Sequence, residues 1–211
     1  MDEHLAWAKD LYERAIFNGA YDALSQADRE LDAVEAALLI GRGRVMHGRY
    51  LDTRIEVPEE LPAFERAADL YRALGDERGE AEAQFWIGCF HQVVRDDNAS
   101  ALPPLTAASE LARKTGDQLT LSYALRHLGI AAHTAGDLDR ARALLEESTA
   151  LRRTLGFTAG VAANLVGLIY LAAAQGRSDD AQALADEAAA LAASVGAVMI
   201  SAQIEAARSR I

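Results

Sequence analysis

The chain has 211 residues, a net charge of −11, and 51% hydrophobic residues. This length accommodates one large domain or two small ones, with enough apolar side chains for a substantial core. Because nucleic-acid binding depends on neutralising phosphates with lysine and arginine, an acidic chain without a basic block is not predicted to bind DNA or RNA.

The composition also favours a reducing compartment. Cys89 is the only cysteine, so no internal disulfide forms. The opening residues MDEHLAWAKD are acidic where a secretory leader carries positive charge, and the longest apolar runs are too short to span a bilayer. The sequence therefore predicts a soluble, cytoplasmic protein without membrane contact.

The N-terminal part of the chain is helical but irregular. The segment HLAWAKDLYERAI is amphipathic and predicts a helix whose buried stripe contains Leu5, Ala8, Leu11, Tyr12 and Ala15. A longer helical pattern runs from Tyr21 to about Tyr50. The following segment, LDTRIEVPEELP, contains two prolines and predicts an ordered, irregular loop of the kind that often carries binding contacts.

A regular repeat occupies the rest of the chain. Four glycines occur in similar sequence segments, namely Gly75 in YRALGD, Gly116 in ARKTGD, Gly156 in RRTLGF and Gly196 in AASVGA. Consecutive glycines of this set lie 41, 40 and 40 residues apart. A constant period of this size is typical of solenoids, in which each repeat packs on its neighbours.

Each period contains two helical patterns joined by a tight turn. In one period, Leu125, Leu128 and Ala132 recur at helical spacing. Gly136 then predicts a helix end and Asp137 the N-cap of the next helix.

The same pattern of a glycine at a helix end and an N-cap after it recurs elsewhere in the chain. Asp76 and Asp117 follow glycines and are predicted N-caps, and GRSDDA at Gly176 repeats the turn. No segment shows convincing strand alternation, so the sequence predicts an all-helical fold.

These residues resemble the tetratricopeptide repeat family, which has bulky, leucine, glycine and small residues on its first helix and alanines around a bulky residue on its second. The matching positions in one period are Leu125, Leu128, Gly129, Ala132, Ala141 and Leu145, with Ser148 replacing the last alanine. The next period matches at Leu165, Leu168, Ala181 and Ala188, and the preceding one at Ile87, Gly88, Ala101, Leu105 and Ala108.

The match has departures as well. Ile169 replaces the glycine of its repeat, and Pro103 and Pro104 crowd a second helix that is therefore predicted to begin near Leu102. The period of about 40 exceeds the family's usual length of about 34 residues and also suits HEAT repeats. It is similar to the long-helix variety found in kinesin light chains and in the sensor arms of bacterial transcription activators.

The resemblance covers roughly Ala36 to the C-terminus and implies a definite architecture. It implies an all-α, right-handed α-solenoid of antiparallel helical hairpins, with about ten helices. We expect a single domain over residues 1–211, with irregular helices and a loop in residues 1–57 and regular repeats with a terminal helix in residues 58–211.

No signature of a catalytic or cofactor site is present. The phosphate-binding pattern G-x-x-x-x-G-K-[ST] is absent, and GRGRVMHG follows a helix rather than a strand, so its glycines are interpreted as helix-packing residues. Neither zinc spacing nor a nucleophile elbow occurs, and no spacing of glutamate and histidine specifies acid–base catalysis. We therefore predict no cofactor, no metal and no catalytic residues.

The family resemblance implies a concave surface formed by the first helix of each repeat. Polar and aromatic residues recur on that predicted inner stripe, whereas the outer stripes are plain alanine and leucine. The candidate ligand-binding residues are Tyr123, Arg126, His127, His133, Glu82, Trp86, Gln92, Tyr170 and Arg42. An arginine flanked by aromatic rings suits an anionic or planar ligand, such as a peptide carboxylate or a small metabolite.

The leading functional hypothesis is a non-catalytic interaction module that binds a peptide or protein segment. The alternative is a small-molecule receptor or enzyme, whose pocket would need residues near Asp52–Pro58 or the first helix as a cap. A third reading, the sensor half of a regulator, lacks a visible DNA-binding helix. Val198, Ile200 and Ile204 give the C-terminal helix more apolar bulk than a terminal repeat usually has, which further predicts a homodimer through this helix.

Overall fold

A computed structural model describes residues 2–211, and these residues form ten helices. The helices are α1 (Asp2–Asn18), α2 (Asp22–Thr53), α3 (Glu60–Leu74), α4 (Glu77–Val93), α5 (Asn98–Thr115), α6 (Gln118–Thr134), α7 (Leu138–Thr154), α8 (Thr158–Ala174), α9 (Ser178–Ser194) and α10 (Val198–Arg208). No strand occurs within this part of the chain, so the all-helical prediction is confirmed.

The chain divides into two compact units inside α5, between Pro104 and Leu105. In the first unit, α1 packs on α2, α2 on α3, and α3 on α4. In the second unit, each helix from α6 to α10 packs on the next, and α10 also contacts α8. Contacts between consecutive helices therefore build both units.

Glycine–aspartate pairs form the turns that the sequence indicated. Gly136 has φ of 80°, its N–H donates to His133 O, and the N–H of Asp137 donates to Ala132 O. The Asp137 carboxylate then accepts the N–H of Arg140. Glycine adopts this left-handed conformation without the penalty that a Cβ imposes, and the carboxylate satisfies an orphan helix N–H.

Asp76 and Asp117 cap α4 and α6 in the same way, as predicted. The turn at Gly176 differs, because Arg177 occupies the N-cap position of α9 and no side chain accepts a helix N–H there. Its guanidinium binds Gln175 and Asp180 instead. The predicted turn is present, since Gly176 has φ of 69° and the N–H of Arg177 donates to Ala172 O, but it lacks the aspartate cap.

The N-terminal helices follow the predicted pattern with two corrections. Within α1, Ala8, Leu11 and Ala15 are buried, whereas Leu5 and Tyr12 are 49% and 54% exposed. The buried stripe is narrower than predicted, since the small alanines let α1 lie close against α2. The predicted irregular segment LDTRIEVPEELP is shorter in the structure, because α2 continues to Thr53 and α3 begins at Glu60, so only residues 54–59 form the loop.

The start of α5 also differs from the prediction. The helix begins at Asn98, not near Leu102, and includes Pro103 and Pro104. Asp97 accepts the N–H of Ser100 and so satisfies a first-turn donor ahead of the two prolines. This capping bond moves the helix start upstream of the position that the prolines alone suggested.

The repeat positions of the second unit form its core. Residues that carried the family resemblance are buried, namely Leu125, Leu128, Gly129, Ala132, Ala141, Leu145 and Ser148. A Cβ on Gly129 would lie 3.3 Å from Ala141 O, so the backbones of α6 and α7 approach closely there. Across residues 2–211, no helix has both the length and the apolar character needed to cross a bilayer.

Candidate functional site

A small cavity in the second unit collects the polar residues of α6, α7 and α8. Its volume is about 250 Å³. Its lining residues come from four helices and one turn, and they include Tyr123, Arg126 and His127 from α6, Arg152 from α7, Phe157 before α8, Gly160 and Ala163 from α8, and Ile200 from α10. We call it the α6–α8 cavity.

Arg126 is half-buried and bridges α6 to α8 at the cavity wall. Its Nη1 donates to the Ala163 carbonyl at 2.7 Å and to Asn164 Oδ1 at 3.2 Å. These bonds fix the guanidinium beside the cavity. Charge-assisted bonds of this kind are stronger than neutral ones, so Arg126 has a preorganised orientation.

Arg152 lies behind the same wall and is only 2% exposed. Its Nη1 donates to the Gly160 carbonyl at 2.8 Å and to Asn164 Oδ1 at 3.0 Å, and its Nε donates to Ser122 Oγ at 3.3 Å. The guanidinium carbon lies 4.8 Å from the centre of the Tyr123 ring and 5.4 Å from that of Phe157. Two cation–π contacts therefore flank this buried cation.

The charge of Arg152 has no carboxylate counterpart among the described residues. The Arg152 Nη2 atom is buried and makes no hydrogen bond to any of the described residues. Burial, followed by the nearby Arg126 charge, lowers the pKa of Arg152 to about 10. The side chain therefore remains charged at neutral pH, and its positive charge is destabilised where it lies.

Neutral polar groups complete the network around the two arginines. The Asn164 Nδ2 donates to Ser148 Oγ at 2.8 Å, and Ser148 Oγ donates to the Ser122 carbonyl at 2.5 Å. We call Ser122, Arg126, Ser148, Arg152 and Asn164 the arginine cluster. Because both guanidinium groups share Asn164 Oδ1, two like charges are held close together at one cavity.

The equivalent positions of the neighbouring repeats hold ordinary core residues where this repeat has the arginine cluster. Forty residues before and after three of its members, the chain has small or apolar side chains that are fully buried. The replaced residues are Ala108 and Ala188 for Ser148, Ala112 and Ala192 for Arg152, and Ala124 and Ile204 for Asn164. The polar network is thus specific to one repeat, and the helix packing does not itself require it.

The structure brings some of the predicted site residues together and separates others. Tyr123, Arg126 and His127 line the α6–α8 cavity. His133 lies two helical turns beyond Arg126, at the end of α6, and is not among the lining residues. Tyr170 packs against the apolar core of the second unit.

The remaining predicted site residues lie in the first unit, and three of them make contacts with other side chains of that unit. Glu82 pairs with Arg44. Trp86 stacks on Phe64, with ring centres 5.5 Å apart. Gln92 is buried and donates to Asn98, and Arg42 is exposed on α2.

Sequence reasoning missed Arg152 and Asn164. Arg152 is in the last turn of α7, where a basic residue ordinarily faces solvent and the helix dipole. Its alignment with Ala112 and Ala192 was the available signal, because a repeat position filled by alanine elsewhere is a buried position.

A second buried polar cluster lies in the first unit. His47 Nδ1 donates to Glu60 Oε1 at 2.8 Å, and Cys89 Sγ lies 3.8 Å from His47 Nε2. Glu60 is fully buried, and burial raises its pKa although the bond from His47 opposes this. We call these three residues the histidine–glutamate cluster. Among the described residues, no group of three or more histidine, cysteine or acidic side chains is arranged to hold a metal ion.

Comparison with known proteins supports the fold but identifies no relative by sequence. No protein-family model matches this chain, and no curated protein matches it. The crystal structure of BtubC (BKLC) from P. vanneervenii superposes with a TM-score of 0.52 at 16% identity, over 92% of this chain and 90% of that chain. At this identity the likeness concerns the helical fold alone.

Proposed function

We propose that this protein is a non-catalytic interaction module that binds an acidic group of a partner peptide in the α6–α8 cavity. The observation that carries the proposal is Arg152, a buried cation without a carboxylate counterpart, next to a second arginine. A carboxylate in the cavity would reduce the repulsion between the two guanidinium groups. Burying an uncompensated charge is costly, so this gain would favour an anionic ligand.

The size of the cavity favours one side chain or terminus of a longer ligand. Pockets for complete drug-sized ligands occupy roughly 300–1,000 Å³. The α6–α8 cavity, at about 250 Å³, is slightly smaller. Phe157 and Ile200 supply apolar walls beside the arginines, so a carboxylate next to an apolar group fits this lining. A small anionic metabolite is the alternative ligand.

Peptide binding by the full chain tests this proposal. The probes are fluorescent decapeptides that contain glutamates among apolar residues, and matched peptides in which glutamine replaces each glutamate. We expect the acidic peptides to bind at least ten-fold more tightly, measured by fluorescence anisotropy. Arg126→Gln is expected to remove this preference, since it deletes the charge at the cavity wall.

A control separates a specific site from general attraction. Arg140→Gln removes an exposed arginine of α7 outside the cavity and is expected to leave peptide binding unchanged. Equal binding of acidic and neutral peptides would contradict the proposal. If small carboxylates such as citrate bind and no peptide does, the small-molecule alternative replaces it.

We further propose that the helices form a right-handed solenoid of antiparallel hairpins of the tetratricopeptide type. The period of 40 residues, the glycine–aspartate turns and the buried repeat positions support this architecture. A solenoid presents an extended surface, which suits a cytoplasmic module that binds protein segments. An experimental structure tests the handedness and the hairpin arrangement directly.

A homodimer through α10 is also part of the proposed assembly. Val198 and Met199 are each 75% exposed, whereas Ile204 is fully buried in the core of the second unit. The exposed pair is therefore available for a second copy. Sedimentation equilibrium over a hundred-fold concentration range tests it, and a mass of 22.7 kDa throughout would contradict the dimer.

A further inference from the structure

A groove in the first unit runs along the outer face of α2 and the start of α3. Its volume is about 890 Å³. Its apolar lining includes Leu38, Val45 and Met46 from α2, and Val57, Pro62 and Ala63 from the following loop and α3. Leu38 and Val45 are 42% and 57% exposed, so this apolar surface is uncovered. We call it the α2–α3 groove.

The first part of α2 shows how such a surface is covered by a helix. There, Ala8 and Leu11 of α1 pack with Ala23 and Ala27 of α2. α2 then continues to Thr53, and the groove lies on this continuation. The groove extends from Ala37 to Arg49 along α2, which corresponds to about 18 Å of helix. It therefore has the length of a helix of about three turns.

Two arginines give the α2–α3 groove a positive edge. Arg42 and Arg49 lie two helical turns apart, both are exposed, and both line the groove. Within residues 2–211 neither side chain has an acidic partner, whereas Arg44 on the same helix pairs with Glu82. In a chain of net charge −11, this edge is locally basic and suits an acidic ligand.

Glycines on the same face of α2 leave room for close approach. A Cβ on Gly41 or Gly48 would meet no atom within 4 Å, whereas a Cβ on Gly43 would collide with the Phe64 ring. Gly43 is explained by core packing, but exposed glycines inside a helix cost about 1 kcal/mol each relative to alanine. The empty space before Gly41 and Gly48 allows another backbone to approach α2.

We propose that the α2–α3 groove docks an acidic amphipathic helix of a partner protein. Apolar residues at spacings of three and four would contact Leu38, Val45 and Met46. Carboxylates seven residues apart would pair with Arg42 and Arg49, which have the same spacing. Glu59 also lines the groove and would repel an acidic side chain placed next to it.

A designed peptide tests this docking site on the full chain. The probe is a labelled helical 18-residue peptide with leucines on one face and two glutamates seven residues apart. Fluorescence anisotropy is expected to show at least ten-fold weaker binding to R42E/R49E than to the wild type. A peptide with lysines in place of those glutamates is expected to bind R42E/R49E more tightly than it binds the wild type.

Matched variants keep the result specific to this groove. Arg29→Glu changes an exposed arginine of α2 outside the groove, and binding is expected to stay unchanged. Arg140→Gln, which changes an exposed arginine of α7 that lines neither the groove nor the α6–α8 cavity, is expected to have no effect either. Circular dichroism confirms that R42E/R49E retains its helices.

Three results would overturn the proposal. The first is equal binding of the acidic peptide to the wild type and to R42E/R49E. The second is loss of binding in Arg126→Gln instead, which would assign the peptide to the α6–α8 cavity. The third is a dimer of the chain alone that dissociates in R42E/R49E, which would assign the groove to a second copy.

Discussion

The two units each bury a polar cluster, but the clusters differ in how their charge is balanced. In the histidine–glutamate cluster, a fully buried carboxylate accepts a bond from the His47 ring. In the arginine cluster, Arg126 and Arg152 share one neutral amide oxygen, and Arg152 has no carboxylate counterpart in the described chain. The first cluster contains a carboxylate, whereas the members of the second are two arginines and neutral polar residues.

This difference separates two uses of buried polar groups. The bond between His47 and Glu60 joins α2 to α3 within the chain, and the second oxygen of Glu60 is buried and makes no hydrogen bond to the described residues. A buried cation without a counterion raises the free energy of the unliganded protein. Binding of an anion next to it lowers that free energy again. We therefore interpret the histidine–glutamate cluster as structural and the arginine cluster as ligand-binding.

The largest expected effect comes from breaking the balanced pair. Glu60→Ala leaves the buried His47 ring without its acceptor and is expected to lower the free energy of unfolding by about 3–5 kcal/mol. Urea unfolding followed by circular dichroism measures it. Glu59→Gln, on the exposed neighbour, is expected to have almost no effect. A loss below about 1 kcal/mol for Glu60→Ala would show that the pair is not structural.

A smaller effect is expected from giving the arginine cluster the carboxylate that it lacks. Asn164→Asp keeps the shape of the side chain and places a negative charge between Arg126 and Arg152. The free energy of unfolding is expected to rise by about 1–3 kcal/mol, as hydrogen bonds to charged groups contribute. Binding of the acidic peptides is expected to fall at least ten-fold, because the site is then occupied internally.

Asn164→Ala provides the matched reference for that change. It removes the shared acceptor without adding charge and is expected to destabilise the protein. If Asn164→Asp were as unstable as Asn164→Ala, Arg152 would not be short of an anion, and the comparison between the clusters would fail.

A near-zero effect on stability is expected when the unbalanced cation itself is removed. Arg152→Met loses bonds to Gly160 and Asn164 but also removes a buried charge, so the free energy of unfolding should change by less than about 1 kcal/mol. Peptide binding is expected to weaken at the same time. A loss of about 3 kcal/mol in urea unfolding would instead make Arg152 a structural residue.

The smallest expected effect is a pH dependence that belongs to the histidine–glutamate cluster. Burial raises the pKa of Glu60 above its ordinary value of 4.5 in the folded protein. The part of its contribution to stability that depends on protonation is therefore fully present below pH 4.5 and is lost as pH rises through the raised value. Urea unfolding between pH 4 and pH 7 is expected to show a steeper decline for the wild type than for Glu60→Gln. Identical slopes would contradict this assignment.

Much of the fold could be predicted because its signals are local. Gly136 and Asp137 specify a turn through the conformation of one residue and a capping bond that spans three residues. The same logic predicted the helix ends at Gly75, Gly116, Gly156 and Gly196, all of which have positive φ. It failed where another local bond intervened, as at Asp97 before α5. Three of the residues predicted to bind a ligand, Tyr123, Arg126 and His127, line the α6–α8 cavity.

The rest of the site could not be predicted from local patterns. His133 is on the same helix as Arg126, yet it lies outside the cavity, because it is two helical turns further along α6. Glu82 satisfies its charge with Arg44, which is 38 residues earlier in the chain. A predicted polar stripe gives no information about which of its members already have partners.

The sequence by itself determined the ten helices, their glycine turns and the period of 40 residues, because hydrophobic spacing and capping act within a few residues of each other. Only the tertiary structure decided which polar residues meet. Arg152 is buried because α8 brings the Gly160 carbonyl and Asn164 against α7, and Arg126 reaches the same amide from α6. The charge balance of that cluster depends on side chains up to 38 residues apart, and no local rule contains it.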